Sequence, residues 1–146
     1  MKLDIAKLRE PMRIVYDIQG KGILRSPKYV EISNPSLERL LAIIELLDGE
    51  NTTEVSLECE EAGKCMIIGG GNQGLYNVMY IEEFGERNYT LLKEGYEEGK
   101  VHKLVCGGQL AEFEDEICVD IDMVKETVEY YYREQGLHNE KYWKLE

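Results

Sequence analysis

The sequence has few of the side chains on which catalytic sites most often depend. It contains two histidines, His102 and His138, in 146 residues. Nucleophilic catalysis by serine or cysteine needs an activating base, and histidine is the usual one. His102 falls inside a predicted strand and His138 in a polar tail, so both are expected to be ordinary structural residues. We expect no catalytic residues and predict that the protein is not an enzyme.

The spacings typical of metal sites are also missing. The cysteines, at positions 59, 65, 106 and 118, form no C-x-x-C pair, and the sequence has no D-x-D-x-D-G calcium loop. Structural zinc sites and calcium loops depend on such regular spacings. We therefore predict free, mostly buried thiols, no metal and no cofactor.

Long apolar runs are absent as well. No stretch approaches the roughly 20 apolar residues that a membrane-spanning helix needs. The N-terminal residues MKLDIAKLRE are interrupted by charge every two or three positions, unlike the apolar core of a signal peptide. We expect a soluble, cytoplasmic protein that does not bind a membrane.

Positive charge is scarce. The chain has 17 Lys and Arg against 29 Asp and Glu, a net charge of −12. Residues 1–29 carry seven basic and three acidic side chains, so the acidity belongs to the rest of the chain. A polyanion such as DNA, RNA or an anionic lipid surface would be repelled, which excludes nucleic-acid binding and favours a basic partner.

The hydrophobic pattern predicts two helices. Leu37, Leu40, Leu41, Ile44 and Leu47 recur at helical spacing, and they give the first helix one apolar face. For this helix we predict a cap at Asn34, Pro35 in the first position and an end at Asp48-Gly49. The second helix is predicted over 122–135, with Gly136 just beyond its end.

Strands are predicted elsewhere. Residues 13–18 and 22–25 flank a glycine turn and favour a hairpin, and from Thr52 onward apolar and polar residues alternate. Further strands are predicted at 64–68, 75–81, 89–93, 101–106 and 109–113. The order predicts one α+β domain over 1–146, an antiparallel sheet of about six to eight strands with two main helices packed on one face.

One glycine-rich stretch raises a chemical question. GGGNQG, at 69–74, has the G-x-G-x-x-G spacing of dinucleotide-binding loops. Those loops deliver the phosphates to the N-terminus of a following helix, whereas residues 75–81 here are rich in strand formers. We predict a turn between two strands and no bound nucleotide.

Acidic clusters stand at the ends of the predicted strands. They could form a negative rim, and nearby tyrosines and one tryptophan could supply contact area to a basic protein. From this pattern we predict six partner-binding residues: Glu82, Glu83, Glu86, Glu97, Glu98 and Trp143. Solvated surface charge is the alternative interpretation.

Residues 33–143 resemble a known family. The resemblance lies in the order and spacing of SNPSLE opening a helix that ends in LDG, then MIIGGG before YNVMY, then VCGGQ, then VD entering the last helix, and Trp143. This pattern is similar to the first-numbered immunity family of bacterial polymorphic toxin systems. Residues 1–32, an N-terminal hairpin extension, lie outside it. Gly69, Gly70, Gly107 and Gly108 match the family pattern, and their physical role would be to permit turns.

The resemblance implies a cytoplasmic antitoxin without catalytic activity. Such a protein binds and neutralises a cognate toxin, usually of the nucleic-acid deaminase superfamily, by blocking its active site. Two alternatives stay open: a small carboxylate-dependent hydrolase or nucleotide-binding protein, and an acidic adaptor module. The sequence does not give the toxin, the interface, the oligomeric state or the role of residues 1–32.

Overall fold

A computed structural model of the chain describes residues 11–20 and 26–146. Within these residues the chain forms nine strands and two α-helices. The elements are β1 Arg13–Ile18, β2 Lys28–Ser33, α1 Leu37–Ile44, β3 Glu54–Cys59, β4 Lys64–Gly70, β5 Tyr76–Glu82, β6 Arg87–Leu91, β7 Val101–Cys106, β8 Gln109–Glu114, α2 Ile121–Glu134 and β9 Trp143–Leu145.

Seven of the strands form one antiparallel sheet in the order β2-β1-β3-β4-β5-β6-β9. Strands β3 to β6 are neighbours in sequence and in space, because each short turn returns the chain beside the strand it has just left. Strands β7 and β8 pair with each other as a separate two-stranded hairpin. The predicted α+β class with its antiparallel sheet is confirmed.

The core lies between the sheet and the two helices. Alternation in β3 buries Val55, Leu57 and Cys59, as the sequence predicts, and Met66 and Ile68 continue the same face in β4. The helices contribute Leu40, Ile43 and Ile44 from α1, and Val124, Val128 and Tyr131 from α2. These side chains belong to one continuous apolar cluster between the sheet and the helices.

The β7–β8 hairpin packs across the opposite face of the sheet. A Cβ on Gly69 would lie 2.7 Å from the sulfur of Cys106, so the glycine permits the close approach of β4 and β7. The turn of the hairpin is also anchored, since the Gly108 amide donates to Thr53 Oγ1 at 2.9 Å. Gly107 and Gly108 both have positive φ angles, 60° and 78°, which agrees with their predicted role in a turn.

The predicted N-terminal hairpin is only partly described. Residues 22–25, its predicted second strand, lie outside the described residues. Strand β1 pairs on one side with β2, which the sequence did not predict, and on the other side with β3. Strands β1 and β2 therefore lie at one edge of the main sheet.

The helix ends differ from the predictions. Ser36, not Asn34, caps α1, because its Oγ accepts from the Arg39 amide at 3.1 Å. Asn34 instead accepts from the Met12 amide and holds the chain entering β1. Helix α1 ends at Ile44, earlier than predicted. At the end of α2 the left-handed position is occupied by Gln135 and not by Gly136.

Candidate functional site

The six predicted partner-binding residues fall into separate groups. Glu82, Glu83 and Glu86 lie at the turn between β5 and β6, whereas Glu97 and Glu98 lie in the segment that follows β6. Because β6 runs between the two segments, they occupy opposite ends of that strand. The structure does not assemble one rim from them.

Glu82 and Trp143 are brought to the same cleft, of about 540 Å³, beside the end of α2. Glu82 accepts hydrogen bonds from the hydroxyls of Tyr80 and Tyr89, both at 3.2 Å. The ring of Trp143 meets the ring of Tyr80 edge to face, with centroids 6.4 Å apart. Trp143 is only 7% exposed, so the prediction that it supplies surface contact area is corrected, and it is a core residue.

Glu97 is held by a buried charge network that sequence reasoning missed. Asp115, whose side chain is 1% exposed, accepts from Lys93 Nζ at 3.0 Å and from the Glu97 amide at 2.9 Å. The Nε2 atom of His102 lies 2.6 Å from the same carboxylate. His102 is therefore a network member and not a plain strand residue. The network fixes the segment that presents the exposed side chains of Glu97 and Glu98.

The network controls the charge of Asp115. The amide of Glu97 and the ring of His102, followed by the ammonium of Lys93, hold the pKa of the Asp115 carboxyl well below its ordinary range, against the opposing effect of burial. Asp115 is consequently ionised at neutral pH. Its negative charge balances Lys93, which would otherwise bring a free positive charge to the neighbouring surface.

A long acidic groove follows the exposed side of α2. One part has a volume of about 540 Å³ and the other about 470 Å³, and the two parts share Glu126 and His138 in their walls. We call these two adjoining parts the acidic groove. Six carboxylates line it: Glu94, Asp120, Asp122, Glu126, Glu129 and Glu134.

The bases in the acidic groove do not offset these carboxylates. Lys93 and Arg133 are the basic side chains that line it, and each is already in an ion pair, Lys93 with Asp115 and Arg133 with Glu129 at 2.8 Å. Among the described residues, Glu94, Asp122 and Glu126 have no cation within 4 Å of their carboxylates. The groove is therefore a concave surface with excess negative charge.

Aromatic side chains surround His138 in the acidic groove. Its ring centroid lies 5.7 Å from that of Tyr130 and 5.9 Å from that of Tyr142, and its carbonyl accepts from Trp143 Nε1 at 3.1 Å. His138 is only 9% exposed, and its Nδ1 has no hydrogen-bond partner among the described residues. Burial lowers the pKa of His138, with the nearby charge of Glu126 opposing the change. His138 is therefore a buried residue and not an exposed side chain of a polar tail.

The glycine-rich stretch forms a turn, as predicted. Strand β4 ends at Gly70, one 3-10 turn spans Asn72–Gly74, and β5 begins at Tyr76. Gly71 has a φ of 102°, and a Cβ there would meet the carbonyl oxygen of Leu47 at 2.5 Å. A strand, not a helix, follows the turn, so the arrangement that binds phosphates in dinucleotide sites is not formed.

The cysteines are free thiols, as the sequence predicts. Burial raises the pKa of Cys106 to about 12 and that of Cys118 to about 11, so both thiols are protonated at neutral pH. Among the described residues, no group of three or more His, Cys, Asp or Glu side chains is placed to hold a metal ion. In the same part of the chain, no helix is both long and apolar enough to cross a bilayer.

Comparison with known proteins gives a fold but no function. No family model matches the chain, and no curated protein sequence matches it. Among solved structures, the fold is similar to that of a hypothetical protein from Neisseria gonorrhoeae, with a TM-score of 0.58 and 12% sequence identity. The match covers 88% of this chain and 92% of that one. At this identity the likeness shows a shared fold alone.

Proposed function

We propose that the protein is an immunity protein that binds a basic toxin domain and blocks the toxin's active site. The observation that carries the proposal is the acidic groove, which offers six carboxylates beside aromatic side chains while both of its bases are paired. Concave surfaces of this kind suit a positively charged protein partner, because charge complementarity speeds association and suppresses wrong partners. The sequence resemblance to the immunity family supports the same function.

The charge of the protein also suits the proposed target. A toxin that deaminates nucleic acid must hold a polyanion, so its substrate channel carries basic residues. A protein with a net charge of −12 competes for that channel with the substrate. Inhibition then needs no chemistry from the immunity protein, only a surface of matching charge and shape.

Co-expression tests the proposal. The domain to test is a small basic domain encoded beside this protein that carries the His/Cys-x-Glu and Pro-Cys-x-x-Cys signatures expected of a deaminase partner. Cells that express the domain with this protein should survive, and cells that express the domain alone should not. If the protein neither rescues the cells nor binds the domain at micromolar concentration, the proposal is wrong.

The same experiment separates the rival functions. A carboxylate-dependent hydrolase or a nucleotide-binding protein would turn over or bind its own small substrate and would leave the toxic domain active. An acidic adaptor would bind a basic protein without inhibiting it. Of the three functions, only that of an immunity protein predicts that the protein abolishes the domain's deaminase activity in a purified mixture.

A further inference from the structure

We infer that the acidic groove binds an extended, lysine- or arginine-bearing segment of the partner, and that this segment donates a hydrogen bond to the ring of His138. The inference rests on the proposed function and specifies which surface of the protein meets the toxin. It also assigns a recognition role to the ring of His138, whose carbonyl already holds Trp143.

The shape of the carboxylate array favours a segment over an ion. The lining carboxylates of α2 run from Asp122 to Glu134, which at about 1.5 Å per residue is a length of about 18 Å. A metal ion needs several ligands converging on one point, and no such group occurs among the described residues. An extended chain rises about 3.3 Å per residue, so five or six residues span the row.

The walls of the acidic groove suit the stems of basic side chains. Tyr130, which is 40% exposed, lies beside His138, and Met123 lines the groove one turn from Glu126. Lysine and arginine bury their methylene stems on such surfaces while the charged head meets a carboxylate. Tyrosine rings also attract cations, as the Nζ of Lys141 already lies 5.0 Å from the centroid of the Tyr142 ring.

His138 supplies an observation independent of the carboxylates. The residue is nine-tenths buried and lines both parts of the acidic groove, and its Nδ1 lacks a hydrogen-bond partner among the described residues. Buried polar atoms are normally paired, and an unpaired one costs free energy. A donor from a bound segment recovers that free energy when the His138 ring turns its Nδ1 toward the groove. Lysine and arginine have donors and no acceptor, so the atom they pair with is an unprotonated ring nitrogen.

A labelled hexa-arginine peptide is the probe for the groove. Its dissociation constant should be measured by fluorescence anisotropy at pH 7.5 with the wild-type protein and two double variants. Asp122→Asn/Glu126→Gln removes two charges from the groove. Glu112→Gln/Glu114→Gln removes two exposed charges from strand β8, which do not line the groove. We expect the groove variant to bind about tenfold more weakly and the β8 variant within about twofold of wild type.

The NMR chemical shifts of the histidine ring nitrogens give a readout that does not depend on the overall charge of the protein. The chain has two histidines, so selective ¹⁵N labelling yields His138 as the reporter and His102 as the internal control. Addition of the peptide should shift the His138 ring nitrogens and leave those of His102, which are held by Asp115, in place.

Three results with the peptide would overturn the inference: no binding by the wild type, equal weakening in both double variants, or an unchanged His138 signal at saturation. Each differs from failure of the proposed function, which is judged by rescue from the toxin. If the Asp122→Asn/Glu126→Gln variant rescues cells as well as the wild type, the proposed function stands and the assignment of the groove as the binding site is wrong.

Discussion

Asp115 and His102 form a close contact, with 2.6 Å between the Oδ1 of the carboxylate and the Nε2 of the ring. Asp115 lies just after β8 and His102 in β7, and the register of the hairpin sets them near each other. Lys93 and the Glu97 amide complete the coordination of the carboxylate. One buried charge thus ties the hairpin to the acidic segment that follows β6.

Replacement of Asp115 should destabilise the protein strongly. Asp115→Asn removes the charge that pairs with Lys93, and loss of one member of a buried pair costs about 3 kcal/mol or more. We expect that decrease in the free energy of unfolding, measured by urea denaturation. The matched control Glu112→Gln is on an exposed strand position and should change the free energy by less than about 0.5 kcal/mol.

The contribution of Asp115 should also disappear in acid. Its pKa is lower in the folded protein than the ordinary value of about 4, so the folded state favours the ionised form. The resulting stabilisation is present above about pH 4 and is lost as the pH falls toward the lower folded value. The difference in unfolding free energy between wild type and Asp115→Asn should therefore be smaller at pH 3 than at pH 5. An equal difference at both values would contradict the ionised carboxylate.

Alanine substitutions at Gly71 and Gly74 separate the cost of backbone strain from the cost of steric overlap. Both have positive φ, 102° and 72°, but a Cβ on Gly71 meets the Leu47 carbonyl while a Cβ on Gly74 meets nothing within 4 Å. Gly71→Ala should lower the free energy of unfolding by about 3 kcal/mol, and Gly74→Ala by about 1 kcal/mol. Thermal unfolding followed by circular dichroism measures the loss of unfolding free energy in both variants. Equal losses would contradict the prediction and show that the backbone near Leu47 moves away from the new Cβ.

Trp143 should matter for stability and not for binding. Its ring packs on Tyr80 and it is 7% exposed, so Trp143→Ala should cost about 3 kcal/mol or more. Leu145→Ala, in the same strand but 59% exposed, is the control and should cost less than about 1 kcal/mol. If folded Trp143→Ala binds a basic domain much more weakly than wild type, its assignment to the core alone is wrong.

Local pattern predicted the strands and helices that bury one regular face. The two-residue period of β3 and the apolar stripe of α1 are visible in the sequence because, in both elements, the apolar positions are the buried ones. The sequence prediction missed strand β2, which lies at the edge of the sheet. Its alternation of Val30 and Ile32 with exposed residues is short, and none of its side chains is fully buried. At the start of α1, Asn34 and Ser36 are both good cap residues. The folded backbone decides between them, because Asn34 has a φ of 48° and accepts from the Met12 amide, whereas Ser36 has the extended conformation of a cap.

The sites were harder to predict for a different reason. The acidic groove combines Glu94, the residues near Asp120, and His138, which are far apart in sequence and meet only when the chain is folded. The sequence does contain one sign of the groove. Asp122, Glu126 and Tyr130 recur every four residues, a spacing that places them along one side of the predicted helix. The clusters at 82–86 and 97–98 are denser in sequence, but the structure separates them along β6.

Competition with nucleic acid tests the central claim most directly. The basic domain of the co-expression test is purified and saturated with a fluorescent single-stranded oligonucleotide, and the protein is then titrated in. We predict displacement of the oligonucleotide at a one-to-one ratio with a midpoint at or below micromolar concentration, together with loss of deaminase activity. Full retention of the oligonucleotide and of activity at an excess of the protein would contradict the account.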